Sequence, residues 1–435
     1  MRTLIRNGRI IDPGNIDGMM DIWVENGKIS KIIDSAPAAS DPQPDGGSAG
    51  EDPDRIIEAG GKIVAPGLID MHVHFRDPGY EYKENIETGC LTAAAGGFTT
   101  VCPMPNTHPV NDNSQVTRYI LKKAARAGSV KVFPVAAVSI GSLGKSLCEY
   151  GELKAAGAVA LSDDGIPVLN GQLLRRAMEY AALFGLFIIS HCEDVDLAAG
   201  GVMNEGPVAT RLGLRGIPNA SESIHVMRDI AICELARTRL HIAHVSTRES
   251  VQAIRDAKKR GVPVTAETAP HYFALTDSAV ENYNTHAKMN PPLRSETDRE
   301  ALLEGLSDGT IDVIATDHAP QSVIEKDLEF DRAENGIVGL ETSVPLGLKL
   351  VDQGVLTLSQ LIEKMSINPG RIIGHENRII VDAPADLTLL DIEKVHTVDA
   401  KRFKSLSHNT PFDGWNMKGK AVLTMVDGKV VFEDS

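Results

Sequence analysis

The chain has 435 residues, 42% hydrophobic and 24% charged, an ordinary composition for a globular protein that is too long for one small core. Its 44 basic and 59 acidic residues leave a net charge of −15, which argues against nucleic acid or an anionic membrane as partner. The opening MRTLIRNGRI has no apolar export core and no run is long enough to span a bilayer, so a cytoplasmic setting is expected.

Residues 3–33 alternate short β-type runs with turn signals such as Asn26-Gly27. The stretch 34–54, DSAPAASDPQPDGGSAGEDPD, is too rich in Pro, Gly, Ser and Asp to bury a core and reads as a mobile surface insertion. Strand character resumes at 55–65 and returns in ADLTLLDIE and AVLTMVDGKVVFE near the other end. Residues 1–65 and 375–435 are therefore expected to build one small β-sandwich domain around a central domain, 66–374.

Within 66–374, strand-like runs at 68–74, 98–104, 131–138, 158–163, 186–192, 239–245, 262–268 and 312–317 alternate with helical patterns such as NSQVTRYILKKAARAG and RESVQAIRDAKKRG. Eight such units predict an α/β fold, a (β/α)8 TIM-type barrel. A doubly wound open sheet is the alternative, but no G-x-G-x-x-G follows any strand. The five cysteines (Cys90, Cys102, Cys148, Cys192, Cys233) are odd in number and widely spaced, which indicates neither a disulfide framework nor a thiolate metal site.

In a barrel the functional residues gather at the carboxyl ends of the strands. LIDMHVHFRDPG ends the first with His72 and His74, two apart on a strand and so facing one way. The fourth ends with Asp163 and Asp164, the fifth with His191, the sixth with His244, and the eighth with Asp317 and His318. Each polar group arrives where an apolar run stops. Four histidines with carboxylates suit one or two divalent ions of the Zn²⁺ type. Such a centre would lower the pKa of bound water and polarise a carbonyl, with Asp317 placed to move the proton to a leaving nitrogen. Taken singly, each has a plainer reading: a satisfied core histidine, or a turn at Asp163-Asp164-Gly165. His241 lies three before His244, hence on the other strand face, and reads as structural; His225, His271 and His286 have no comparable placement.

With these phrases in view, the chain resembles the amidohydrolase superfamily and, within it, the long-chain (class I) bacterial dihydroorotases. The resemblance runs nearly end to end through NGRIIDPG, PGLIDMHVHFRDPG, GGFTTVCPMPNT, LSDDG, KMNPPLR, ATDHAP and GIVGLETSVPLGL. It implies a hydrolase that opens the cyclic amide of (S)-dihydroorotate to N-carbamoyl-L-aspartate, reversibly, in pyrimidine synthesis. By the same resemblance His72, His74, Asp164, His191, His244 and Asp317 hold a zinc centre of one or two ions, with Asp317 also the catalytic base. His74, Arg76, Asn106, Asn290, Gln321 and Gly336 would contact substrate, a role that suits the bidentate guanidinium of Arg76 toward a carboxylate. Self-association and an aspartate carbamoyltransferase partner are implied only in this way.

Related hydantoinases, allantoinases and many dihydroorotases bridge their metals with a carboxylated lysine, whereas AGAVALSDDG offers none. An aspartate must take that place; Asp163 is open, and alignment of the motif favours Asp164. Relatives also carry His where this chain has Gln321, and an aromatic residue where it has Asn335. Gln321 can hydrogen-bond a substrate but cannot carry a proton. Two other functions remain in view: another cyclic amidase of the hydantoinase, dihydropyrimidinase or allantoinase kind, and a non-catalytic dihydroorotase-like scaffold subunit.

Overall fold

Apolar runs that stop at polar residues become short parallel strands in the computed structural model, which describes residues 2–35 and 52–434. The expected mobile insertion, apart from 34–35 and 52–54, lies outside the described residues. One arc joins Leu68–Val73, Phe98–Pro103 and Lys131–Val132; a second joins Val135–Ala136, Ala160–Leu161, Ile188–Ser190, Leu240–Ile242, Val264–Thr268 and Val313–Ile314. Lys131–Val132 and Val135–Ala136 are halves of one predicted strand, parted at Pro134, which lacks the N–H a ladder needs. At the other seam Val73 bridges His318 in parallel, and the His74 N–H donates to the His318 carbonyl at 2.8 Å. The two arcs thus meet at both ends, giving an eight-position ring of parallel strands.

Apolar side chains of mixed size, from Ala160 to Phe187, fill the ring. Met71, Cys102, Val135, Ala160, Ile189, Ala243, Val313 and Ala315 form one buried cluster, roughly one residue from each strand. A much larger apolar cluster lies outside, between the strands and their helices. The helices start and stop where their sequence punctuation directs. The Asn113 side chain accepts from the N–H groups of Gln115 and Val116 to cap Ser114–Ala127, which ends at Gly128 in the left-handed region, φ 65°. The Thr247 side chain caps Arg248–Lys259 through the Ser250 N–H. All five cysteines are buried and free.

Both ends of the chain contribute to a separate eight-stranded sheet. Arg2–Asp12 pairs antiparallel with Ile16–Glu25, and parallel with both Arg55–Glu58 and Ile63–Pro66; the last of these pairs with Leu387–Thr397. Ile5, Ile10, Ile22, Val64, Leu389 and Met425, from strands across that whole sheet, share one core, so the sheet curls around it. It is riveted to the barrel by the Thr388 hydroxyl, which donates to the Gly97 carbonyl (2.6 Å) and accepts from the Leu68 N–H (3.3 Å).

Ile10 is fully buried in the small-sheet core, away from the barrel mouth. Ile10→Ala should cost about 2–5 kcal/mol of stability. A melting curve would show it, while metal content per folded molecule should stay as in the parent protein.

Candidate metal centre

The first strand reaches the centre through a bulge. Asp70 faces Val101 while Val73 faces Pro103, so three steps on one strand run against two on its neighbour. A bulge re-aims side chains next to an active site. Here Met71 packs into the ring interior while His72 also turns to the mouth, where its Nε2 lies 3.4 Å from Asp164 and His74 Nε2 lies 3.5 Å from the same carboxylate. His191 and His244 approach that carboxylate from the other side, at 3.6 and 3.4 Å. Two groups, His72–His74–Asp164 and Asp164–His191–His244, each have their ligand atoms within 4.8 Å of one another and share Asp164.

Between the adjacent aspartates the structure discriminates plainly. Asp163 points to the neighbouring strand end, accepting from the Val138 N–H (2.8 Å), the Ser139 N–H (3.2 Å) and the Ser139 hydroxyl (2.5 Å). Asp164 is the one among the imidazoles. Asp317 closes the ring of donors, its Oδ1 3.1 Å from His74 Nε2 and 3.7 Å from His72 Nε2. Both His244 and Asp317 leave their strands with left-handed backbone, φ 32° and 48°, an uncommon state for residues other than glycine that clusters at functional sites.

The donor set fits a cation. His72 Nε2 and Asp164 Oδ1 are buried with no hydrogen-bond partner among the described residues, a costly arrangement unless something else meets them. His72 Nδ1 lies 2.6 Å from Glu267, which assigns one ring proton there and turns Nε2 to Asp164. His191 Nδ1 and His244 Nε2 stand 2.8 Å apart, while His191 Nε2 turns to Glu193 at 3.4 Å. Burial opposes charge on His72, but Asp164 and Glu267 outweigh it and hold the imidazole well above its usual range. Asp164, despite burial, is held well below its usual range by His72 and its other imidazole neighbours. An entering cation would displace those protons, the usual coupling of metal affinity to pH.

Several participants carry no obvious mark in the sequence. Glu267 lies inside the strand Val264–Thr268 and receives both His72 and His241, the latter at 3.1 Å. His241 therefore faces inward like His244. The two-residue alternation fails between them because the strand ends at Ile242 and the chain turns left-handed at His244. Asp70 ties the first strand to the eighth, accepting from the His72 N–H (3.0 Å) and from the Thr316 N–H (3.2 Å) and hydroxyl (2.5 Å). His271 is also fully buried beside the centre, its pKa driven down to about 4, chiefly by burial, against the pull of Asp317. His318 points away, with Nδ1 accepting from the Gly339 N–H (3.1 Å) and Nε2 facing Glu84 at 3.5 Å. An acid or imidazole within an apolar strand was the available signal for Glu267, Asp70 and His241.

The expected substrate contacts border the centre. The Asn106 amide oxygen meets His74 Nδ1 at 2.9 Å and its nitrogen reaches Asp164 at 3.5 Å. Arg76 Nε donates to the Pro320 carbonyl (3.2 Å), with the charges of Asp317 and Asp164 acting on the guanidinium. Asn290 donates to Glu193 (3.3 Å) and lines a cavity of about 630 Å³ with Gly201, Arg215, Ile217, Lys288 and Asn335. Gln321 is already engaged at both ends of its amide, accepting from Lys83 Nζ and donating to the Asn335 carbonyl, each at 2.7 Å. Gly336 has φ 133°, and a Cβ there would sit 2.5 Å from the Ala319 carbonyl oxygen, so only glycine fits.

A family model described as "Dihydro-orotase-like" matches residues 61–250. A dihydroorotase of Desulforapulum autotrophicum is 56% identical over 100% of this chain and 99% of its own length. One of Syntrophus aciditrophicus is 53% identical over 100% of both. Among solved structures, an L-hydantoinase (dihydropyrimidinase) from Arthrobacter aurescens superposes with a TM-score of 0.85 at 29% identity, covering 100% of this chain and 96% of that one. A dihydropyrimidinase from Brevibacillus agri gives 0.82 at 22% identity over 100% and 95%, a likeness of fold. Together with the histidine–aspartate cluster, these likenesses make the chain a barrel protein with a metal cofactor.

Two outcomes follow from the buried partners. Removing the acid behind His72 with Glu267→Gln should weaken metal retention roughly 10–100-fold in a chelator competition; unchanged retention would make Glu267 a core acid only. Lys326, at the end of the short helix Val323–Lys326, donates to the carbonyls of Lys288 (3.1 Å) and Glu334 (2.7 Å), and burial with the adjacent Lys288 charge pushes its pKa down to about 7. An unfolded lysine titrates near about 10.4, so across that interval the unfolded chain holds the extra proton and folding gains as pH rises. The melting temperature of the parent protein should therefore gain on that of Lys326→Met from pH 7 to pH 9, and a shrinking gap would contradict it.

Proposed function

Because the chain belongs to the dihydroorotase family, we propose that it interconverts (S)-dihydroorotate and N-carbamoyl-L-aspartate by opening and closing the ring amide. The observation that carries the reading furthest into this chain is Asp164, one carboxylate shared by two sets of buried imidazoles with Asp317 beside them. Zinc is the metal we assign to this centre: His72, His74, Asp164 and Asp317 would hold one ion, and Asp164, His191 and His244 would hold a second where two bind. Bound there, the ions supply Lewis-acid polarisation of the ring carbonyl and water that ionises near neutral pH.

The side chains do the rest. Arg76, with Asn106 and Asn290, holds the substrate carboxylate, and a planar guanidinium fork suits that group. Water attacks the ring carbonyl carbon, a C–O bond forms, and one of the two water protons passes to solvent. Asp317 takes the other and delivers it to the ring nitrogen as the C–N bond breaks, leaving a carboxylate and a ureido group. Run backwards, Asp317 takes the ureido proton, and with one further proton from solvent ring closure expels water. Gln321, engaged with Lys83 and Asn335, acts by shaping the loop and not by proton transfer. Self-association and a carbamoyltransferase partner belong to this proposal on the resemblance alone.

The purified protein should turn over dihydroorotate and N-carbamoyl-aspartate, but neither hydantoin nor dihydrouracil, rings without the carboxylate. Metal analysis should find one to two zinc per chain, and stripping the metal should abolish turnover until it is restored. Asp317→Asn should cut kcat by roughly 10²–10⁴-fold with most metal retained. Full activity in that variant would remove Asp317 from the proton path, and a preference for hydantoin would replace the substrate assignment.

A further inference from the structure

One segment of the small-sheet half of the chain reaches the barrel mouth. Between Leu387–Thr397 and Asn416–Val426 the chain runs over the rim, where the Ser405 hydroxyl donates to Glu84 and the Ser407 hydroxyl to the Lys83 carbonyl. Asn409 follows, 2% exposed, and its side-chain amide is fully used. Oδ1 accepts from the Gln321 N–H (3.0 Å), while Nδ2 donates to the carbonyls of Ala319 (3.2 Å) and Gly336 (3.0 Å). Its backbone carbonyl also accepts from the Val338 N–H at 3.0 Å.

These bonds straddle Pro320, whose carbonyl receives Arg76 Nε. They also join the two ends of the loop that runs from Ala319 to Gly336, at the place where no Cβ fits between them. Asn409 is too deeply covered and too fully bonded to meet a ligand. Its hydrogen bonds instead set where the Pro320 carbonyl stands, and that carbonyl orients the guanidinium.

We propose that Asn409 is a positioning residue for substrate-carboxylate recognition, holding the 319–321 backbone so that Arg76 presents its fork at the correct height. The inference rests on the reading of Arg76 given above. A buried amide that loses two donors forfeits up to about tenfold in a coupled equilibrium, so the effect is measurable.

The test is a double-mutant cycle in the zinc-loaded full-length enzyme. Asn409→Asp keeps the shape and removes both donors; Asn409→Ser makes the same point without new charge, should the aspartate prevent folding. Either should raise KM for dihydroorotate about tenfold with kcat within about twofold and metal content unchanged. In an Arg76→Gln background the same change should add little. A loss confined to kcat, or an equal loss in both backgrounds, would overturn the positioning role and leave Asn409 a structural residue. Should Arg76→Gln itself leave KM unchanged, the carboxylate contact fails first and the proposal falls with it; a raised KM there with normal Asn409 variants sinks the proposal alone.

Discussion

The molecule is organised around the burial of one carboxylate. Asp164 sits 3.4–3.6 Å from four imidazoles that arrive from three other strands, and almost none of it meets solvent. Taking an ionised carboxylate out of water costs several kcal/mol, and only converging positive or metal-bound groups offset that. The offset exists only if strands far apart in sequence end at the same level. Closure of the ring at Val73–His318 and through the 131–136 run is thus tied to the chemistry at its mouth.

Behind the imidazoles stands a second tier of acids. Glu267 orients His72 and His241, Glu193 faces His191, and Asp70 clips the first strand to Thr316, one residue before Asp317. Each partner fixes which nitrogen, or which backbone position, points to the centre. Such groups set ring orientation and ligand basicity, so the placement of the donors is decided a layer below them. The mouth thus gathers the carboxylates of Asp164, Asp317, Glu193 and Glu267 around four imidazoles, and a divalent cation is their natural complement.

The barrel strands were readable because each is a short apolar run, and all eight predicted positions hold a strand or a pair of half-strands. The primary donors were readable for a related reason: an imidazole or acid directly after such a run has few structural duties. What escaped notice depends on three dimensions. An acid inside a strand, like Glu267, looks the same as one facing solvent. Alternation misassigned His241 because the backbone changes hand at His244. Alignment of the motif favoured Asp164 over Asp163, but the physical reason, that Ser139 claims the first, lies in another strand end. Gln321 meets a lysine 238 residues earlier, a separation no local pattern conveys.

The sheet that unites the two chain ends also dictates an order of assembly. Ile63–Pro66 cannot find Leu387–Thr397, nor can the rim receive Asn409, until more than 300 further residues have left the ribosome. A nascent barrel can wind strand by strand as it emerges, since its neighbours are close in sequence. Its mouth, however, stays unbraced until the segment around Asn409 has been made. The bonds that hold Ala319, Pro320 and Gly336 in place thus come from a segment made long after the first strands, so competence at the mouth waits on it.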